Sequence, residues 1–135
     1  MSDQPVLRLF AAIVCCLTGS VGPSAAQQTA KEPETVMVTL HAKPGAEADL
    51  ERVIAQHWTT ARQLNLVREA PHVTIRGTED GNKTYFIDVF TWREARIPDA
   101  APAEIQKIWN AMNRLVESRD GHAGLEFAAV SIVAQ

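Results

Sequence analysis

His57 has the side-chain type and the position to take part in chemistry. Helical spacing places it inside an apolar stripe that includes Leu50, Ile54 and Ala61. A neutral imidazole in such a place can act as a general base and take a proton from a phenolic ligand. The alternative is a partly buried histidine whose ring is hydrogen-bonded to a nearby carbonyl.

Asp88 is the second candidate catalytic residue, because it lies in mid-strand between Phe86 and Phe90. If that face of the strand is covered, burial should raise the pKa of the carboxyl group, or the group must find a partner. His57 and Arg76 are the predicted partners. The alternative is a carboxylate near a sheet edge or subunit boundary, where solvent reaches it.

Four further side chains are predicted to shape an apolar ligand pocket: Phe90, Trp92, Trp109 and Met112. The two indoles can form walls for an aromatic ligand. For Trp109 and Met112 the alternative is ordinary core packing, because both belong to a helical apolar stripe. Trp58 lies beside the stripe that contains His57 and is expected at a rim or a subunit surface.

No metal site or bound cofactor is predicted. His41, His72 and His122 lie on different predicted elements, and none has ligand spacing to another metal-binding side chain. The sequence also lacks a nucleophile elbow, a P-loop, a zinc-protease motif and a dinucleotide fingerprint.

The elements that carry these residues alternate between strands and helices. Val36–Leu40 alternates as a strand, and a helix begins near Ala46 and ends near Asn65. Val73–Arg76 and Lys83–Trp92 form a hairpin around the Asp80-Gly81 turn signal. A second helix with a clean apolar stripe follows, with Asp99 as its cap and Pro102 in its first turn. Strand 4 is predicted over Leu125–Val133.

Two βαβ units joined by a hairpin predict an α+β fold, the ferredoxin-like βαββαβ sandwich. Its antiparallel sheet has the order 4-1-3-2, and both helices cover one face. The opposite face is apolar too, because strand 3 is apolar on both sides, with Tyr85, Ile87 and Val89 on one and Phe86, Phe90 and Trp92 on the other. A soluble monomer rarely exposes such a patch, so the chain is expected to pair with itself as a homodimer.

The N-terminal segment has the features of a signal peptide. Arg8 precedes the apolar run Leu9–Leu17, and Ser24-Ala25-Ala26 is a small-x-small cleavage signal. We expect a signal peptide over 1–26, a flexible leader over 27–35 and one domain over 36–135. The product would be periplasmic or secreted, without a membrane anchor. Cys15 and Cys16 leave with the signal. The net charge of −3 gives no reason to expect binding to nucleic acid or membranes.

The order of these elements resembles the dimeric α/β-barrel superfamily, and most of all its antibiotic biosynthesis monooxygenase-like branch. The matching stretches are VFTW ending at Trp92, EIQKIWNAM from Glu104 to Met112, and LEF at Leu125–Phe127. The resemblance implies two subunits paired into a barrel, with a small pocket between sheet and helices in each. It also places an aromatic residue at the position of Trp92.

Members of that branch include enzymes that oxygenate quinol-like aromatics without a cofactor, enzymes that degrade haem, and proteins without known activity. Many carry a histidine just before the second helix, where this chain has Asp99–Pro102. Strand 1 lacks the asparagine, and helix 2 the histidine, of the haem-degrading members. The resemblance therefore implies a cofactor-independent monooxygenase acting on a small aromatic compound. The alternative is a non-catalytic homodimer that binds a small ligand or serves as a scaffold.

Overall fold

A computed structural model of the chain describes residues 29–135. The predicted signal peptide and the first two residues of the predicted leader lie outside this range. The elements follow the chain in this order: β1 (Glu34–His41), α1 (Glu47–Gln63), β2 (Val73–Glu79), β3 (Lys83–Trp92), a short 3-10 helix (Ile97–Ala100), α2 (Ala103–Leu115) and β4 (Leu125–Ala129). No helix within residues 29–135 is long and apolar enough to cross a membrane.

The four strands form one antiparallel sheet in the order β2-β3-β1-β4, which is the predicted order read from the other edge. The predicted α+β ferredoxin-like fold is confirmed. Alternate residues of β3 are buried under the helices, from Phe86 through Asp88 and Phe90 to Trp92. This period-2 burial determines which side chains reach the site.

Helix α1 buries the side of the helix that the spacing predicted, with Leu50, Ile54, His57 and Ala61 against the sheet. The helix ends at Gln63 with Leu64 as its cap, and the next residue, Asn65, has a positive φ of 58°. The amides of the two residues after the helix bond back to carbonyls of its last turn, Asn65 to Arg62 and Leu66 to Ala61. This Schellman arrangement needs a residue that tolerates the left-handed region, and asparagine does so at little cost.

The start of α2 differs from the prediction, because Asp99 does not cap it. Asp99 lies within the 3-10 helix, and α2 begins at Ala103 with Pro102 at the capping position and no side-chain cap. The side-chain amide of Gln106 instead donates to the carbonyl of Ala101 at 2.8 Å. Asp99 is thereby left on the surface that leads to the site.

The first and last strands also differ from their predicted limits. Strand β4 ends at Ala129 instead of Val133, and Val133 is 97% exposed. In the predicted flexible leader, β1 already begins at Glu34. The carbonyls of Ala30 and Glu32 accept hydrogen bonds from the segment after β3. Backbone pairing, which side-chain patterns do not report, determines both limits.

A buried arginine joins the end of β1 to the turn before β4. Arg119 is 6% exposed, and its guanidinium donates to the carbonyls of Thr84 and Ala42 and to the carboxylates of Glu79 and Glu117. Its bond to Glu79 is the main reason that the pKa of that carboxyl group is lowered. This cluster lies outside the cavity described below, and its role is structural.

Candidate functional site

A cavity of about 340 Å³ lies between the helix-facing side of the sheet and the two helices. It is found where two clusters of the hydrophobic core meet, with Val38 and Trp109 in contact with both clusters. The apolar part of its wall comprises Val36, Val38, Leu40, Ile54, Phe90, Trp92, Pro98, Trp109, Met112, Leu125 and Phe127. Its polar part comprises Glu34, His57, Asp88, Asp99 and Asn113.

All six residues that the sequence singled out for a site lie in the wall of this cavity. Their helices and strand converge there because His57 belongs to the buried stripe of α1, Trp109 and Met112 project from α2, and β3 supplies the remaining three. The structure brings them together around one space.

The aromatic side chains hold one another by edge contacts. The ring of Trp92 meets Phe90 at 4.9 Å between centroids and 80° between planes, and meets Trp109 at 6.3 Å and 88°. The imidazole of His57 lies edge-on to Trp92 at 5.9 Å and 86°. Such T-shaped contacts are the geometry that aromatic quadrupoles prefer, so the wall has a defined shape before any ligand binds.

The ring of His57 has one fixed hydrogen bond and one free nitrogen. The indole Nε1–H of Trp109 donates to Nε2 of His57 at 3.1 Å. Because an indole only donates, Nε2 is the acceptor, and in the neutral ring the proton lies on Nδ1. Within residues 29–135 no partner contacts Nδ1, and this atom is not sealed from solvent. His57 lines the cavity, so a ligand there could accept a hydrogen bond from this N–H.

Burial lowers the pKa of His57 from 6.5 to about 4, and an electrostatic contribution from His72 acts in the same direction. The side chain is almost entirely buried in an apolar wall, so its charged form loses solvation. His57 is consequently neutral at pH 7. It donates a hydrogen bond to the cavity without carrying a charge into it.

Asp88 does have polar partners, but they are not the predicted ones. Its Oδ1 accepts a hydrogen bond from the hydroxyl of Thr74 at 2.7 Å and lies 3.0 Å from Nε2 of His72. The predicted partners are engaged elsewhere: His57 with Trp109, and Arg76 with Glu51 on α1. The prediction failed because it could not locate the loop before β2, which carries His72 to the buried face.

Burial raises the pKa of Asp88, although the Thr74 hydrogen bond and the nearby His72 both act in the opposite direction. Its hydrogen bonds go to Oδ1, and no side chain or backbone group of the described range forms a hydrogen bond or ion pair with Oδ2. The carboxyl group is thus anchored through one oxygen, while its other oxygen remains available to the cavity that Asp88 lines. Such an arrangement suits a general base.

His72 is the residue of the site that sequence reasoning missed. Its ring stacks on the indole of Trp58, with 3.8 Å between centroids and 13° between planes, which fixes the imidazole against Asp88. The register of the hairpin could have predicted that His72 lies near Asp88. Its Asp80-Gly81 turn sets a register in which Thr74 lies opposite Asp88, only two residues after His72. Within the described range no three metal-binding side chains converge on a common point.

Comparison with solved structures identifies several proteins of similar architecture. A variant of SnoaB, a cofactor-independent oxygenase from Streptomyces nogalater, superposes with a TM-score of 0.56 at 16% identity, over 77% of this chain and 96% of that one. Rv0793 from Mycobacterium tuberculosis superposes with a TM-score of 0.55 at 12% identity, over 77% and 98%. A conserved protein of unknown function from Bacteroides thetaiotaomicron gives 0.55 at 13%, over 75% and 100%.

The chain has the fold of these proteins. The predicted resemblance to the antibiotic biosynthesis monooxygenase-like branch is thereby confirmed as a likeness of fold. The sequence matches no protein family and no curated protein at a significant level. The ligand of the cavity must therefore be inferred from the residues that line it.

Proposed function

We propose that this domain is a cofactor-independent oxygenase that acts on a small quinol-like aromatic compound. One observation carries the proposal: Asp88 and His57 both line a cavity with apolar and aromatic walls, and each has one side-chain polar atom without a hydrogen-bond partner among residues 29–135. Few polar groups in a mostly apolar pocket are typical of small-molecule sites. The similarity of fold to an oxygenase that needs no cofactor supports the same reaction class.

Asp88 is the group that we assign as general base. Its Oδ1 is held by Thr74 and His72, so Oδ2 can approach a phenolic hydroxyl in a fixed orientation. Burial raises the pKa of the carboxyl group and makes the carboxylate a stronger base than an exposed aspartate. His57 is less suited to this role, because its lone pair already accepts the Trp109 N–H.

We assign His57 the role of stabilising the negative charge that forms on the ligand. Loss of the phenolic proton leaves an oxyanion, and a neutral Nδ1–H can donate to it within the apolar wall. The electron-rich ring of this phenolate then reacts with dioxygen at the ring carbon para to the oxyanion, which carries one hydrogen. One oxygen atom becomes the second carbonyl oxygen of the quinone, and the other leaves as water with that hydrogen and the proton that Asp88 took from the hydroxyl.

Oxygen consumption with anthrone as the probe tests the proposal. We expect the purified domain to accelerate uptake, with quinone as the product, and Asp88→Asn to reduce the rate by at least a hundredfold. Glu104→Gln is the matched control, because this exposed carboxylate lies on α2 away from the cavity. Binding of anthrone without turnover would favour the alternative function, a non-catalytic binding protein. Turnover that Asp88→Asn leaves unchanged would exclude the assigned base.

The proposal extends to a homodimer formed through the sheet. The face opposite the helices carries Met37, Ile87 and Val89 along its centre, and Val73 and Ile75 are 49% and 48% exposed at its β2 edge. A second copy that packs the same face against it would bury this patch symmetrically. Analytical ultracentrifugation should show a dimer, and Ile87→Lys should give a folded monomer. A wild-type monomer at high concentration would contradict this part.

Export is likewise a proposal, and it rests on the sequence of residues 1–26. The mature protein would begin at Gln27. Mass spectrometry of the protein recovered from its native host should give the mass of Gln27–Gln135. Recovery of the full-length chain from the cytoplasm would contradict export without affecting the proposed chemistry.

A further inference from the structure

The charged groups around the cavity are all of one sign. Glu34 and Asp99 lie in its wall where β1 begins and where the 3-10 helix leads into α2, and Asp88 lies deeper on β3. Within residues 29–135 no lysine or arginine side chain lines the cavity. An anion that entered would therefore meet carboxylates and no compensating cation.

The two outer carboxylates are not neutralised by their neighbours. No cationic side chain of the described range forms an ion pair with Glu34 or Asp99. Arg96 shares a shallow neighbouring depression with Asp99, but its Nε bonds to Glu94 at 2.6 Å. The negative potential of both groups therefore extends into the approach to the cavity.

The inner part of the cavity also has no group that would balance the negative charge of an anion. His57 is the basic side chain of the wall, and it is neutral at pH 7 because burial lowers its pKa to about 4. It offers one hydrogen bond, which suits a phenol oxygen or a transient oxyanion formed in place. A carboxylate or sulfonate brought in from water would lose its hydration and gain no charged partner, which costs free energy.

The same wall accommodates a positive charge. The faces of Phe90, Trp92 and Trp109 are electron-rich, and a protonated amine near them gains a cation–π interaction in addition to attraction by the carboxylates. From these observations we infer that the cavity discriminates by charge: neutral phenols and protonated aromatic amines bind, and anionic aromatics of equal size are rejected. The inference rests on the proposed function of the cavity as a ligand site.

Three naphthalene probes of similar size test this charge selection by isothermal titration calorimetry at pH 7 and low salt: 2-naphthol, 1-naphthylmethylamine and 2-naphthoate. We expect the phenol and the amine to bind at least tenfold more tightly than the carboxylate. The double variant Glu34→Gln/Asp99→Asn should strengthen 2-naphthoate binding several-fold and weaken binding of the amine. Glu104→Gln should change neither, because it removes an equal charge elsewhere.

The outcomes separate the two proposals. If none of the three probes binds, the cavity is not a site for such ligands, and the inferred charge selection is overturned as well. If 2-naphthoate binds as tightly as 2-naphthol, the cavity is a ligand site without charge selection, and only the inference is overturned. An unchanged affinity for 2-naphthoate in the double variant would also overturn the inference, because Glu34 and Asp99 would then not cause the discrimination against anions.

Discussion

The indole N–H of Trp109 donates to Nε2 of His57 at 3.1 Å, although 52 residues separate the two in the chain. This bond stabilises the neutral ring and determines which nitrogen faces the cavity. Trp109→Phe removes the donor and should raise the pKa of His57 only in part, because burial is the largest cause of its value of about 4. An NMR titration of the His57 ring protons measures this. Trp92→Phe is the control, since Trp92 contacts the ring without bonding to it. An equal rise in both variants would contradict the assigned role.

The protein should lose stability in mild acid because of His57. Its pKa is 6.5 in the unfolded chain and about 4 in the fold, so below pH 6.5 the unfolded state binds the proton first. The free energy of unfolding then falls as the pH drops from about 6.5 to 4, by roughly 3 kcal/mol from this residue. Urea denaturation at several pH values checks this.

The contribution of His57 is isolated by comparing variants, because Asp88 and Glu79 titrate with opposite effects on stability. Burial raises the pKa of Asp88, which favours the fold as the pH falls, while the lowered pKa of Glu79 has the reverse effect. His57→Gln should therefore flatten the curve between pH 6.5 and 4 relative to wild type. His122→Gln, at an exposed position, should leave it unchanged. A wild-type curve parallel to that of His57→Gln would refute the low pKa.

Arg119 should be among the most sensitive positions for stability. Replacing it with Met removes the side-chain donor to the carbonyl of Ala42, one of the two donors to the carbonyl of Thr84, and the guanidinium beside Glu79. We expect a loss of about 3–5 kcal/mol in the free energy of unfolding. Arg52→Met removes an exposed pair with Asp49 and should cost at most about 0.5 kcal/mol. Similar losses in both variants would show that the buried network contributes little.

Two glycines should differ in their tolerance of alanine. A Cβ on Gly124 would lie 2.8 Å from the backbone nitrogen of Glu117, and the backbone there cannot move independently. A Cβ on Gly77 would meet the outer end of the Tyr85 ring, which can rotate away. Gly124→Ala should therefore cost about 1–3 kcal/mol by thermal or urea denaturation, and Gly77→Ala less. The reverse order would show that the turn before β4 adapts more easily than the tyrosine.

Much of the site could be predicted because it depends on periodicity. The stripe of α1 placed His57 on the buried side, and alternation along β3 placed Asp88, Phe90 and Trp92 on one face. These assignments need only the periods with which side chains point to one side of a helix or of a strand. The partners of Asp88 were beyond such reasoning, because the loop that carries His72 has no repeat from which its path can be read.

The order of apolar and polar residues by itself determined the four strands, the two helices, the sheet order and the buried side of both helices, since burial of apolar surface follows the pattern of the chain. Only the tertiary structure decided that the two core clusters leave a space between them, that Trp109 bonds to His57, and that Oδ2 of Asp88 stays unpaired. Each of these depends on distances between side chains far apart in sequence. A pattern of residue types contains no such distances.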